Sequence, residues 1–275
     1  MERIISISAD GEGLPMLLRD YLKKIGLSTS TIKEAKRGAI LLNSERVTVR
    51  ATVNLGDALE IFVPKETSET IEAMDIPIVV LYEDDDILAV DKPTNMPTHP
   101  SKGNNLPTLA NAVMGYYGGD FVFRSVNRLD RDTSGIVIIA KNKISASALS
   151  ASMKRGEWKK IYHAKVDGIL KEKSGVIDAP IERVCDGNIK REVRADGKRA
   201  ITKYKVLEET ENCSLVELRL KTGRTHQIRV HMAHIGHALV SDFLYGIPNE
   251  EEYYLRCKEI SVPHPKSGEI LTIKA

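Results

Sequence analysis

"VNRLDRDTSGIVIIAKN", residues 126–142, carries a charged loop into an apolar run. The loop holds two acids, Asp130 and Asp132, among the guanidinium groups of Arg128 and Arg131. The apolar run predicts a buried strand directly after the loop. Solubility alone does not require carboxylates between arginines at the mouth of a strand. A site that keeps one carboxylate ionised while it handles a polyanion does require such an arrangement.

The two acids also allow other interpretations. Asp130 and Asp132, followed by Thr133, resemble the nucleophile motif of aspartate-dependent phosphatases. Those enzymes place the acids after an apolar strand, whereas here the predicted strand, residues 136–140, follows them. A simple turn, in which Asp132 or Thr133 caps nearby backbone donors, explains one or two residues only. Neither alternative accounts for the whole pattern of acids and arginines.

Composition limits the class of protein. The chain has 275 residues, 42% of them apolar, which allows one large domain or one large and one small domain. No apolar run approaches the roughly 20 residues of a membrane-spanning helix, and the start "MERIISISAD" does not have the pattern of a secretory signal. Cys185, Cys213 and Cys257 lie far apart without metal-ligand spacing. We therefore expect a cytoplasmic protein with reduced thiols and no membrane association.

Charge is distributed unevenly along the chain, although the formal net charge is only +2. Residues 66–91 contain nine acids and neither lysine nor arginine, whereas residues 92–275 contain 30 basic and 21 acidic residues. A basic body next to an acidic connector favours a polyanionic partner. Charge alone does not separate such a binder from a protein with a solvated basic face.

Residues 1–65 have the pattern of a small α/β module. Apolar residues at helical spacing predict two short helices, the second within "STSTIKEAKRG", and short strands follow. Lys33, Lys36 and Arg37 lie three and four residues apart, so they share one face of the second helix. That face is either a solvated surface or a contact for the polyanion. Residues 66–76 are polar and acidic and are interpreted as a linker.

The remaining residues, 77–275, predict many strands and few helices. A hairpin with an acidic turn is expected at 78–93, then a helix capped by Thr108, and a further helix at 143–155. The segment 189–205 is interpreted as a basic hairpin. Because helices do not alternate regularly with strands, we predict an α+β fold around a mixed, largely antiparallel central sheet.

Four histidines lie in the segment "TGRTHQIRVHMAHIGH": His226, His231, His234 and His237. Imidazole is a common zinc ligand, but the segment has no glutamate beside a histidine for general-base work and no nearby cysteine. The alternative is a strand-to-helix element that brings Arg224 and Arg229 to one place. The histidines would then pack in the core or contact a ligand.

Tyr162 lies in "KKIYHAKVDG", whose alternating pattern predicts a strand. A tyrosine on a half-buried sheet is usually a core residue. The pattern of this segment alone therefore does not decide between a core position and a functional site.

Together these segments resemble the RluA-type family of RNA pseudouridine synthases. "NRLDRDTSGIVIIAKN" resembles the central catalytic loop and strand, "YEDDDILAVDKPTNMPTHP" the first motif, and "KKIYHAKVDG" and "LKTGRTHQIRVHMAHIGHALVSDFLYG" the later two. The matches follow the family order over residues 77–275. Residues 1–65 resemble, more loosely, the alpha-L type RNA-binding domain that often precedes this catalytic domain. Asn127, where the family most often has histidine, departs from the pattern without removing a residue expected to do chemistry.

The resemblance implies roles for individual residues. Asp130 would be the essential carboxylate, Tyr162 the ring beside the target uracil, and Arg229 the cation that pairs with Asp130. The residues expected to contact RNA are Arg128, Arg131, Arg224, His226, Lys33, Lys36 and Arg37. Arg128 and Arg131 are expected to fill the place of the uridine that leaves its stack.

The implied function is isomerisation of specific uridines to pseudouridine in structured RNA, with large-subunit ribosomal RNA as the expected target. The reaction breaks a carbon–nitrogen glycosidic bond and joins the same sugar carbon to another ring atom, so no cofactor or metal is expected. An ionised carboxylate with an opposed arginine can attack or accept a proton. Transfer RNA is an alternative substrate, and a non-catalytic RNA-binding role in ribosome assembly is a second alternative. We expect a monomer.

Overall fold

The computed structural model describes residues 2–27, 29–63, 71–101, 107–248 and 251–275. Residues 66–70 of the predicted linker, together with the last two residues of the predicted N-terminal module, lie outside these ranges. The predicted α+β class is confirmed, because the described chain forms one large mixed sheet, a small sheet near the N-terminus and a few short helices.

The N-terminal residues form a four-stranded sheet and two helices around their own apolar cluster. The elements are β1 (Glu2–Ser8), β2 (Met16–Leu17), α1 (Leu18–Lys24), α2 (Thr29–Arg37), β3 (Ala39–Leu42), β4 (Glu45–Arg46), β5 (Thr52–Val53) and β6 (Ala58–Val63). Within the sheet the strand order is β1-β6-β3-β4. Leu18, Tyr21 and Leu22 of α1 are fully buried against Leu59 and Ile61 of β6 in this cluster.

The rest of the chain builds the main sheet. Its elements are β7 (Val79–Glu83), β8 (Ile87–Lys92), α3 (Leu109–Tyr116), β9 (Ser134–Ala140), α4 (Lys143–Lys154), β10 (Lys159–Asp167), β11 (Ser174–Asp178), β12 (Ile181–Arg183), β13 (Arg191–Val193), β14 (Ile201–Glu209), β15 (Cys213–Leu220), α5 (Gln227–His234), β16 (Leu255–Pro263) and β17 (Ile270–Lys274). The strand order is β11-β14-β15-β10-β16-β9-β8-β7, and β17 pairs with β16. Only the β9–β16 pair is parallel among the described pairs of this sheet.

The strand after the charged loop lies in the middle of the sheet. β9 pairs with β8 through residues 135–140 and with β16 through Ser134 and Gly135. Residues 135–140 are buried, as the apolar run predicts. Gly135 has φ of +106°, and a Cβ there would lie 2.3 Å from the Cys257 carbonyl oxygen of β16. Only glycine fits this close approach, which sets where the loop before β9 leaves the sheet.

Several predicted elements are confirmed, and one is wrong. The hairpin formed by β7 and β8 and the helix capped by Thr108 are present. The basic hairpin at 189–205 is not, because β13 pairs with β12, as in Ile181 opposite Val193, whereas β14 pairs with β11 and β15. A turn signal between two alternating segments does not determine which strands become neighbours.

The N-terminal part contacts the main sheet through α4. The Lys143 ammonium forms an ion pair with Glu34 of α2, and the Ser147 hydroxyl donates to the Gly26 carbonyl oxygen at 3.2 Å. Ile144 packs against the N-terminal apolar cluster. These contacts come from exposed or partly buried groups, so we expect them to stabilise the arrangement only modestly.

Candidate active site

The loop that carries Asp130 is anchored on both sides of that residue. Before it, the Thr98 hydroxyl donates to the Leu129 carbonyl oxygen at 2.8 Å. After it, the Lys92 ammonium donates to the Arg131 carbonyl oxygen at 3.1 Å. The same ammonium also donates to the carbonyl oxygens of Pro93 and Met96. Lys92 is fully buried, and burial lowers its pKa to about 8. The two anchors restrict the backbone position from which the Asp130 side chain extends.

Asn127 fixes the start of the same loop. Its buried side-chain amide donates to the Ile136 carbonyl oxygen at 3.1 Å and accepts from the Ile138 backbone N–H at 2.8 Å. Both partners lie on β9, so Asn127 joins the loop to the strand that follows it. A side chain that bonds backbone groups in this way has a structural role here.

Asp130, Tyr162 and Arg229 line one open cleft with a volume of about 1200 Å³. Asp130 comes from the loop before β9, Tyr162 from β10 and Arg229 from the first turn of α5. The Asp130 side chain is 39% exposed, which leaves its carboxylate accessible from the cleft. The structure thus brings together three side chains that are widely separated in sequence.

The lining of the cleft is rich in positive charge. Among the described residues its basic side chains are Arg128, Lys159, Lys160, Lys203, Arg219, Lys221, Arg224 and Arg229. Its carboxylates are Asp130, Glu157 and Glu259. A concave surface with this excess of cations concentrates a polyanion near Asp130.

Arg229 pairs with Asp242 and not with Asp130, which corrects the sequence-based expectation. Two guanidinium nitrogens donate to the two Asp242 carboxylate oxygens, both at 2.6 Å. The side chains are 4% and 0% exposed, so the pair is buried. Burial alone would lower the pKa of Arg229, but the Asp242 hydrogen bond and the electrostatic effects of Tyr253, Asp242 and Asp130 together outweigh burial and raise the pKa. Arg229 therefore stays charged and acts on Asp130 without a direct bond.

Aromatic rings surround the Arg229 guanidinium. Its central carbon lies 5.1 Å from the ring centroid of Phe243, 5.0 Å from that of Tyr245 and 6.0 Å from that of Tyr253. Burial raises the pKa of Tyr253, so this phenol is neutral. The rings and Asp242 together fix the plane of the guanidinium. These four residues belong to the quoted motif or follow it closely, but nothing in their spacing indicated that they share one cation.

His226 is the one basic side chain within 4 Å of the Asp130 carboxylate among the described residues. Its Nε2 lies 3.8 Å from Asp130 Oδ2, and its Nδ1 lies 2.8 Å from the Tyr245 hydroxyl. The residue precedes α5 in a left-handed conformation, with φ of +57°. Burial lowers the pKa of His226, although the Asp130 charge opposes this effect. Near pH 7 the imidazole is therefore neutral and offers hydrogen bonds rather than a positive charge.

Tyr162 occupies the central strand of the site and is 7% exposed. It pairs with Leu218 of β15 on one side and Cys257 of β16 on the other. Burial raises the pKa of Tyr162 well above its ordinary value, and the Cys257 thiol adds to the effect. The ring is thus both a core residue and part of the cleft wall, and its hydroxyl stays protonated.

The predicted RNA contacts near Asp130 differ in their surroundings. Arg128 is exposed and lines the cleft. Arg131 forms two hydrogen bonds with the adjacent Asp132 carboxylate, at 2.8 and 3.1 Å, and is not among the cleft-lining residues. Arg224 lines the cleft while its Nε donates to the Arg199 carbonyl oxygen at 3.0 Å. Arg128 is thus better placed than Arg131 to reach a bound nucleotide.

The cations predicted on the N-terminal module lie far from this loop in sequence. Lys33, Lys36 and Arg37 are exposed on α2, as their spacing indicates. Their contact with RNA stays a prediction.

The histidine-rich segment does not form a metal site among the described residues. His231 is buried, with Nδ1 2.9 Å from the Thr202 hydroxyl and Nε2 2.9 Å from the Ala179 carbonyl oxygen. His237 Nδ1 lies 2.8 Å from the Asp167 carbonyl oxygen. No group of three histidine, cysteine, aspartate or glutamate side chains is arranged to hold an ion in the described parts of the chain.

Comparisons with known proteins show which proteins this chain is similar to. Residues 86–234 match the family described as RNA pseudouridylate synthase. A Bacillus subtilis relative, "Uncharacterized RNA pseudouridine synthase YjbO", is 37% identical over 94% of this chain and 95% of its own length. "Ribosomal large subunit pseudouridine synthase D" of Xanthomonas campestris is 36% identical over 89% of this chain and 74% of its own length. The solved structure "Human RNA Pseudouridylate Synthase Domain Containing 1" superposes with a TM-score of 0.64 at 26% identity, over 74% of this chain and 84% of that one.

The chain belongs to the RNA pseudouridine synthase family, and the predicted RluA-type resemblance is confirmed. It is therefore an isomerase that acts on uridine in RNA. In the described part of the chain, no helix has the length and apolar character needed to cross a membrane.

Proposed function

We propose that this pseudouridine synthase modifies specific uridines of structured RNA, in the large-subunit ribosomal RNA, with Asp130 as its essential carboxylate. The observation that carries the proposal is the common cleft of Asp130, Tyr162 and Arg229, whose lining is strongly basic. Relatives named as ribosomal large subunit pseudouridine synthase D support the choice of RNA. The expected cytoplasmic location and monomeric state stay predictions.

The chemistry requires one reactive carboxylate. The bond between C1′ of the ribose and N1 of uracil breaks, the base turns, and a bond forms between C1′ and C5. The proton on C5 leaves and N1 gains one, so the atoms balance without any other reactant. Asp130 can attack the nucleoside or accept a proton from it, because its carboxylate extends from an anchored loop into the cleft.

Arg229 and Tyr162 assist this carboxylate in different ways. The Arg229 charge is fixed by Asp242 and favours negative charge on Asp130 from a set position. Tyr162 offers a ring on which uracil can stack and a protonated hydroxyl that can bond to it. Because His226 is neutral, the described part of the chain places no cation in direct contact with Asp130, so the carboxylate stays available to the substrate.

A uridine in structured RNA must leave its stack to reach Asp130, at a cost of a few kcal/mol. Arg128 is exposed at the cleft beside Asp130, so its planar guanidinium can stack in the vacated position. Arg224, which also lines the cleft, would add a contact to the RNA backbone. The exposed face of Lys33, Lys36 and Arg37 would bind a second part of the RNA, as in an alpha-L type domain.

The test is a pseudouridine map of RNA from cells that lack the protein, complemented with wild type, Asp130→Asn or Asp85→Asn. Asp85 is an exposed acid in the turn between β7 and β8 and does not line the cleft. We expect one or more large-subunit sites to disappear, and to return with wild type and Asp85→Asn but not with Asp130→Asn.

Other outcomes have defined meanings. Sites lost only in transfer RNA would identify that RNA as the substrate instead. A map without any lost site would favour a non-catalytic role in ribosome assembly. Full modification by the Asp130→Asn protein would refute the assignment of Asp130.

A further inference from the structure

We infer that Lys160 binds a phosphodiester of the RNA strand next to the target uridine, at a subsite that Trp158 and Met153 build beside Tyr162. This inference rests on the proposed function of the same cleft and adds a specific contact to it. The inference is drawn from an ammonium group that is largely buried and has no carboxylate within ion-pairing distance among the described residues.

Lys160 faces the cleft from the same strand as Tyr162. The two residues are two positions apart on β10, so their side chains extend to the same face of the sheet, about 7 Å apart along the strand. Both line the cleft. A nucleotide strand that places uracil at Tyr162 therefore continues past Lys160 in one of its two directions.

The Lys160 ammonium has an unusual set of contacts. Its Nζ lies 3.8 Å from the Met153 sulfur and 5.1 Å from the centroid of the Trp158 ring. No carboxylate of the described residues lies within 4 Å of it, although Lys160 is mostly buried. Buried lysines are rare unless they are paired, because an uncompensated charge is costly to remove from water. These surroundings indicate that the Lys160 ammonium pairs with an anion from a bound ligand.

The surroundings also hold the side chain in place. The Trp158 indole N–H donates to the Ser152 hydroxyl at 2.9 Å, which fixes the ring under the lysine. Met153 is at the end of α4, whereas Asp130 contacts His226 at the start of α5. The ammonium thus contacts α4, whereas the proposed catalytic carboxylate lies beside the start of α5. A phosphate of a flanking nucleotide fits that separation better than the uracil itself.

A purely structural role of Lys160 predicts a different effect of its replacement on protein stability and RNA binding. If Lys160 only stabilised Trp158 by a cation–π contact, its replacement by methionine would lower the melting temperature and leave RNA binding unchanged. If instead the Lys160 ammonium is the binding group for an RNA phosphate, Lys160→Met removes an unpaired buried charge from the free protein. The melting temperature then stays equal or rises.

The experiment measures binding of the full-length protein to an in vitro transcript of large-subunit ribosomal RNA over a range of salt concentrations. The variants are Lys160→Met, Lys160→Arg and the matched control Lys205→Met, an exposed lysine on β14 that does not line the cleft. For Lys160→Met we expect the slope of log Kd against log salt to decrease by roughly 0.7–0.9, the loss of one phosphate contact. Lys160→Arg should keep most of the slope.

The steady-state kinetics of pseudouridine formation provide a second measurement. With Lys160→Met the KM for RNA should rise about tenfold while kcat stays within about twofold, since the contact is made equally in the ground and transition states. An unchanged salt slope in Lys160→Met would overturn the inference, as would an equal loss in Lys205→Met. The binding measurement does not need turnover, so a failure of the proposed catalytic function would show separately as absence of product in the wild type.

Discussion

Arg229 and Asp242 form a buried ion pair in which both nitrogen–oxygen distances are 2.6 Å. The pair ties the first turn of α5 to the segment that follows this helix. Asp242 Oδ1 also accepts the backbone N–H groups of Leu244 and Tyr245 at 2.9 and 3.1 Å. One carboxylate therefore shapes the turn after α5 and orients the cation that acts on Asp130.

Replacement of Asp242 should destabilise the fold and inactivate the enzyme together. Asp242→Ala leaves the Arg229 charge buried without a partner, so we expect the free energy of unfolding to fall by about 3–5 kcal/mol. Urea unfolding can be followed by the fluorescence of Trp158, the only tryptophan, which is 8% exposed. A change below about 1 kcal/mol would show that the charge is not held as the structure indicates.

The double variant Arg229→Met, Asp242→Leu separates stability from catalysis. It removes both charges and keeps side chains of similar size, so the cost of the unpaired buried charge should be recovered, whereas the two hydrogen bonds from the backbone N–H groups of Leu244 and Tyr245 stay lost. Pseudouridine formation should not return, because the cation near Asp130 is still missing. Recovery of activity in this variant would contradict the role assigned to Arg229.

The sequence predicts those features that depend on neighbours along the chain. Thr108 caps α3 as expected, since a cap needs only the three residues that follow it. The buried strand after Asp130 is equally local, because its apolar run is continuous. The family resemblance, and not the spacing of the residues, predicts that Asp130, Tyr162 and Arg229 share one site. All three line the same cleft in the structure.

The features that the sequence does not reveal depend on contacts between segments that are far apart in the chain. The partner of Arg229 is decided by the turn after α5, and no pattern in the sequence distinguishes Asp242 as that partner. Lys92 was not singled out either, yet it bonds a carbonyl 39 residues further along the chain. Spacing does not contain this information, because it arises from packing of separate elements.

Lys92 should matter for loop position although it does not line the cleft. Its ammonium donates to the carbonyl oxygens of Pro93, Met96 and Arg131 at 2.8, 2.7 and 3.1 Å. Lys92→Met leaves these acceptors unsatisfied, so we expect a loss of about 2 kcal/mol in the free energy of unfolding and a lower kcat. Urea unfolding and single-turnover assays measure the two effects. An unchanged kcat would mean that the Thr98 anchor alone is sufficient.

Substitutions can separate the role of the Tyr162 hydroxyl from the role of the Tyr162 ring. Tyr162→Phe keeps the ring against the uracil and removes the group that can bond to it, so we expect kcat to fall by about 10²-fold with KM near the wild-type value. Tyr162→Leu also removes the stacking surface, and its KM should rise as well. The assay is pseudouridine formation in a defined transcript. Equal effects of the two variants on KM would exclude stacking as the role of the ring.

Gly135 should be intolerant of a side chain. Its φ is +106°, and an added Cβ would lie 2.3 Å from the Cys257 carbonyl oxygen, so Gly135→Ala must displace β9 from β16. We expect a loss of at least about 2 kcal/mol in the free energy of unfolding. Gly156→Ala is the matched control, with φ of +77° and nothing within 4 Å of the added Cβ. A similar loss in both variants would show that backbone strain, rather than the close approach, determines the cost.

His226 should set part of the pH dependence of the reaction. Burial lowers its pKa below the ordinary value of 6.5, so the imidazole is neutral above that pH and gains a proton as the pH falls through the lowered value. The imidazolium, 3.8 Å from Asp130, would then pair with the carboxylate and compete with the substrate for it.

We therefore expect kcat/KM to decline on the acid side, and His226→Gln to move that decline to lower pH. His234→Gln, an exposed histidine at the end of the same helix, should leave the profile unchanged. The measurement is pseudouridine formation from pH 5 to pH 8 with both variants. An acid decline that is identical in the wild type and His226→Gln would show that another group causes it, and the pairing of His226 with Asp130 would then have no role in the reaction.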